Sequence, residues 1–235
     1  EKNPLYYQSE KLATFQLKKM SAYLHLRDYK NGKNNAEKCL KSFPAGSETW
    51  FLFMEYYLLL SIHTDNFINA LAIYNRATSN SKFKKITGND KEKWNIYNIY
   101  LNYIIESHGE SNPILQAQRK KTFRASRFLN DPLLYPKDQR IFTVLLIVAQ
   151  ILFLIEKKGY NAIRERVERL KSYANRQLKK EVYFRLIQFI RLLQQLDKAD
   201  YKVENLSNVD KYYDRLVDTP FAYRGQITEL EVIPY

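Results

Sequence analysis

The sequence predicts an all-α protein, a right-handed α–α superhelix (solenoid) of about five antiparallel helix hairpins. Three observations carry that prediction. Apolar residues recur three, four and seven positions apart along most of the chain, the spacing of a helix face packed on a core. Glycine and proline are scarce, six and seven in 235 residues, too few for the many tight turns of a sandwich or barrel. The hairpins begin near residues 5, 46, 91, 138 and 180. A nearly constant step between helix pairs marks an α-solenoid.

Each element follows from local signals. Residues 5–26 place Leu5, Leu12, Phe15, Met20, Tyr23 and Leu24 at helical spacings. Arg27-Asp28 interrupts the pattern, and a second helix runs from Tyr29 to Phe43, where Pro44 opposes its continuation. Ser47-Glu48 opens the apolar stretch Trp50 to Ile62. Thr64-Asp65-Asn66 is a turn and N-cap before Phe67–Ala77. Residues 79–90 are polar and predict a loop. Helix resumes over about 92–106, and Pro113 suits the first turn of a helix over 114–129. Asp138–Lys157, Tyr160–Tyr173, Lys180–Leu196 and Val209–Val217 complete the series. The hairpins are thus 5–43, 46–79, 91–129, 138–175 and 180–217, one helical-repeat domain over 1–217. Residues 218–235 form an extended tail, in which Leu230 and Val232 alternate with Glu229 and Glu231. That tail suits docking on the solenoid, on a partner, or in the groove of another copy.

The chain can bury a core, with 45% hydrophobic and 27% charged residues. Its formal charge of +13 is uneven. Residues 113–204 carry 20 Lys/Arg against nine Asp/Glu, whereas residues 205–235 carry three against five. Such an excess attracts nucleic acid, anionic membrane or acidic protein. The most apolar run, Ile141–Ile155, is shorter than a bilayer span and contains Thr143 and Gln150, so it predicts a buried core helix. A start or signal ahead of Glu1 is not visible, and a cytoplasmic location is expected. The single cysteine, Cys39, excludes an intrachain disulfide.

At the hairpin turns the residues resemble tetratricopeptide repeats. Arg27-Asp28-Tyr29 is similar to that family's Gly-Asp-Tyr turn, and Gly32, Ala36, Cys39 and Pro44 follow at the repeat's small-residue and closing positions. Trp50, Phe53, Met54 and Tyr57, then Ala70, Tyr74 and Ala77, match the next unit. Trp94, Tyr97, Asn98 and Leu101 open a third, and Lys158-Gly159-Tyr160 with Ile163, Val167 and Leu170 resembles a fourth. The repeats are degenerate and longer than the family's period of about 34 residues. Small residues at i, i+4 and i+7 let a neighbouring helix approach closely, and an aromatic on the facing helix fills the groove. The whole chain, notably its tail Glu229–Tyr235, also resembles tetratricopeptide-like proteins of Bacteroidetes bacteria, which implies no activity. The family resemblance implies a concave surface, lined by the first helices, that binds extended or helical peptides.

Catalytic signatures are absent from the sequence. It has no phosphate-cradling glycine loop, GxSxG elbow or HExxH pair. His25, His63 and His108 are scattered, Cys39 occupies a packing position, and Glu229 with Glu231 reads as a solvated face. No enzyme activity, cofactor or metal is expected. On the third hairpin, Asn95, Asn98 and Asn102 share one helix face beside Trp94 and Tyr103. Asparagine costs helix propensity, so this stripe suggests a groove that holds peptide backbone through side-chain amides. Packing is the competing reading of the tyrosines. Arg119, Lys120, Lys121, Arg124 and Arg127 form a basic cluster, with Lys120, Arg124 and Arg127 at i, i+4 and i+7 and Phe123 among them. It suits an anion or an acidic partner, or else a solvated outer face. Arg164–Glu168 and Glu165–Arg169 predict i, i+4 pairs on a surface helix, and Lys179, Lys180, Arg185 and Arg191 extend the basic character. Two functions fit. The first is a non-catalytic protein–protein interaction scaffold that binds a peptide or partner segment in its concave groove. The second is a nucleic-acid-binding or regulatory helical-repeat protein that uses the basic face of residues 113–204.

Overall fold

A computed structural model describes residues 9–118, 123–130, 135, 140–207 and 209–235. Among these residues the chain is all-helical, with no strand. The α-helices are α1 (Ser9–His25), α2 (Tyr29–Ser42), α3 (Glu48–His63), α4 (Phe67–Thr78), α5 (Gly88–His108), α6 (Pro113–Ala117), α7 (Ala125–Asn130), α8 (Arg140–Glu156), α9 (Tyr160–Gln177), α10 (Phe184–Lys198) and α11 (Asp210–Val217). Short 3-10 turns lie at Ser81–Lys85, Val203–Asn205 and Ile227–Glu229. No described helix is long and apolar enough to cross a membrane.

The contacts divide into two compact units. The first contains the described part of Glu1–Lys91 with Ala222–Gln226 and Val232–Pro234; the second contains the described part of Glu92–Phe221 with Ile227–Glu231 and Tyr235. In the first unit α1 packs on α2 and α3, α2 on α3, and α3 on α4. Gly32, Ala36 and Cys39 of α2 are buried as their spacing requires. A Cβ on Gly32 would lie 2.3 Å from Leu60 Cδ2, so only hydrogen fits where α3 crosses. Burial pushes the Cys39 thiol up to about 11, which keeps it protonated at neutral pH. In the second unit α7 packs on α8, α8 on α9, α9 on α10, and α10 on α11. Here α9 buries Ile163, Val167, Leu170 and Ala174, a stripe at helical spacing.

One turn recurs at four helix ends among the described residues. Arg27, Asp65, Lys158 and Asp200 have φ of 52°, 57°, 53° and 48°. In each case the next residue donates its N–H to a carbonyl five positions back: Asp28 to Tyr23, Asn66 to Ser61, Gly159 to Leu154 and Tyr201 to Leu196. This is the Schellman closure of a helix C-terminus. A left-handed φ is costly for a side chain with a Cβ and free for glycine. Lys158→Gly is therefore expected to stabilise the protein by about 0.5–1 kcal/mol, measured as a higher midpoint of urea unfolding. A lower midpoint would show that the Lys158 side chain contributes more than the backbone strain costs.

Several sequence expectations need correction. The helix expected over 114–129 is not continuous. Asn112 caps α6 through the Ile114 and Leu115 N–H groups, α6 ends at Ala117, and Phe123 and Arg124 precede α7. Arg119, Lys120 and Lys121 lie outside the described residues. The last long helix begins at Phe184, not Lys180. The tail is not a simple alternating strand, because Ile227–Glu229 turns and Glu231 is 4% exposed.

Candidate functional site

In the first unit a groove lies between α1 and α3. Thr14, Leu17, Lys18 and Ser21 stand at i, i+3, i+4 and i+7 on α1, while Leu52 and Tyr56 stand one turn apart on α3. The segment Ala222–Gln226 belongs to this unit and lies along the groove. Tyr223 is 1% exposed. Its ring packs on Tyr56 at 5.3 Å between centroids, and its hydroxyl donates to the Glu55 carboxylate. Its carbonyl accepts a 2.5 Å hydrogen bond from Ser21 Oγ. Beside this anchor an open cleft of about 500 Å³ remains, with Lys18 and Arg224 exposed at its rim. Gly225 adopts φ of 93°, a left-handed conformation that glycine takes without strain.

A buried carboxylate needs a donor. Glu55 sits within α3, in an otherwise apolar stretch, and Tyr223 supplies that donor 168 residues later. The lone charge among apolar residues was the one sequence signal of this site, and sequence reasoning did not use it. Ser21, Lys18 and Arg224 carried no such signal.

The residues expected to form a groove on α5 are dispersed by the fold. Trp94 is 2% and Asn102 7% exposed, which leaves neither a surface for a partner. Trp94 packs edge-on against Tyr97 at 5.6 Å, and the Asn102 amide donates to the Asn98 carbonyl at 2.7 Å. The asparagine stripe thus bonds locally instead of facing an open channel. Asn95 is exposed, 3.4 Å from Glu92 Oε2. Tyr103 is half-buried on Phe153 and donates to Glu156 Oε1 at 3.4 Å. Its hydroxyl is pushed up to about 12, chiefly by burial and then by the Glu156 charge.

The cations are sorted in the same way. Arg124 and Arg127 are exposed on and beside α7, but Phe123 turns inward onto Phe153 at 5.7 Å and does not widen a basic patch. Arg164 reaches Asp197 and Asp200 at 3.0 and 2.9 Å, not its expected partner Glu168, which accepts Lys171 at 3.2 Å. Arg166 donates to Gln150 Oε1 and to the Leu129 carbonyl. Gln150 in turn donates to the Phe128 carbonyl, so the last carbonyls of α7 are satisfied by side chains of α8 and α9. Arg185 holds Glu231 in a pair with side-chain exposures of 17% and 5%. That places Glu231 inside the second unit, not on the solvated face expected for it.

Among the described residues, no group of three or more His, Cys, Asp and Glu side chains is placed to hold a metal ion. No protein-family model, curated protein or solved structure matches this chain.

Proposed function

We propose that the protein is a non-catalytic protein–protein interaction scaffold, a tetratricopeptide-like helical-repeat solenoid whose α1–α3 groove takes an extended segment of a partner. The observation that carries this reading is the chain's own segment 222–226. It lies in the groove as a bound peptide would, with one buried aromatic anchor, a carbonyl held by Ser21 and a hydroxyl held by Glu55. A buried tyrosine supplies much contact area at low entropic cost, the usual composition of an interface anchor. Lys18 at the rim favours an acidic flank on the partner segment. The internal engagement of Arg164, Arg166 and Arg185 leaves fewer cations for a nucleic-acid face and supports the protein-binding reading.

The test is to open the groove and refill it. The full chain carrying Tyr223→Ala is expected to bind a labelled octapeptide with the sequence of residues 219–226 in the micromolar range, and the unmodified chain at least tenfold more weakly, because a central aromatic anchor dominates such contacts. Fluorescence anisotropy reads both. No binding by a variant that retains its helical circular dichroism would overturn the reading.

A further inference from the structure

The second unit contains a cleft of a different kind. It lies between α9 and α10, about 380 Å³ in volume. Its floor is aliphatic: Ala174, Leu178, Ile187 and Ile190. Its rim carries Lys171, Lys180 and Arg191, with the amides of Asn175 and Gln194. No carboxylate is among the described residues that line it. Lys171 is paired with Glu168 at 3.2 Å. Arg191 is held in place by Gln188 Oε1 at 3.3 Å and by the Tyr212 ring at 5.8 Å.

We infer that this cleft is a docking site for an acidic protein segment that inserts one aliphatic side chain between flanking Asp or Glu residues. The floor has the volume and chemistry for a leucine-sized anchor, and the rim supplies three cations complementary to carboxylates. The two side-chain amides offer donors and acceptors that match a peptide backbone. Single-stranded nucleic acid is less well suited. Its affinity draws on bases stacked on aromatic faces, and no aromatic side chain lines the cleft among the described residues.

The same unit already recognises a segment of this chemistry. On another face of α10, Arg185 binds Glu231 at 2.5 and 3.1 Å while the adjoining Leu230 is 3% exposed. The sequence Glu229-Leu230-Glu231 is itself an aliphatic residue between two acids. The α9–α10 cleft likewise sets cations beside aliphatic side chains, with its opening toward solvent. This inference does not rest on the α1–α3 groove, since the residues involved belong to the other unit.

The experiment uses the full chain and a fluorescein-labelled nonapeptide of alternating Asp and Glu with leucine at its centre. Anisotropy is expected to show saturable binding. Arg191→Glu and Lys180→Glu are each expected to weaken it roughly tenfold, the scale of a lost charge-assisted contact turned repulsive. Changing the central leucine to serine is expected to weaken it comparably, while Lys18→Glu in the first unit leaves it unchanged. Lys180 is exposed, so its variant tests the cleft without disturbing the core. Binding insensitive to both charge reversals would overturn the proposal. So would equal binding of the serine peptide, or displacement of the leucine peptide by an equimolar single-stranded oligonucleotide, either of which would show a non-specific polyanion surface.

Discussion

Replacing Arg185 with alanine is expected to destabilise the protein by about 3 kcal/mol, at the lower end of the range for removing one partner of a buried ion pair. The guanidinium contacts both Glu231 oxygens and also donates to the carbonyls of Leu216 and Thr219. Its removal leaves a nearly inaccessible carboxylate and two carbonyls without that donor, and desolvated polar groups without partners are costly. The measurement is the midpoint of urea unfolding at unchanged slope. Replacing both Arg185 and Glu231 with methionine is expected to recover a large part of the loss, because a well-packed apolar pair often matches a buried ion pair. If Arg185→Ala moves the midpoint no further than an exposed substitution does, the tail is not held through this pair.

Gly32→Leu is expected to cost about 2–3 kcal/mol through overpacking, even after roughly 1 kcal/mol of regained helix propensity. Even a Cβ here overlaps Leu60 Cδ2 and comes within 3.1 Å of Tyr23 Cβ. Leu60 is fully buried, so it has no solvent direction in which to yield. The control is Asn34→Leu on the exposed face of the same helix, expected to stay within about 0.5 kcal/mol. Equal midpoints for the two variants would mean that α2 and α3 separate readily at this crossing.

The two expectations differ in how far they were legible. Gly32 was marked by its spacing to Ala36 and Cys39, since close helix approach requires small residues on one face. Arg185 and Glu231 were both visible as charges, but neither could be paired with the other. Their partnership spans 46 positions and depends on where the tail returns. The asparagine stripe on α5 illustrates the opposite failure. Its face was legible from the 3.6-residue period, yet which way that face points is decided by the helices packed around it. Trp94 and Asn102 point inward for that reason.

The sequence by itself determined the helical class, the places where most of the helices lie, and several of the turns that end them. These depend on hydrogen bonds three to five residues long and on side chains one turn apart, which local composition encodes. The tertiary structure decided what is exposed. It buried Tyr223 on Glu55, withdrew Arg166 and Arg185 from the surface, and left the α9–α10 rim cationic and accessible. Such contacts depend on the accumulated geometry of every intervening turn, so no short stretch of residues carries them.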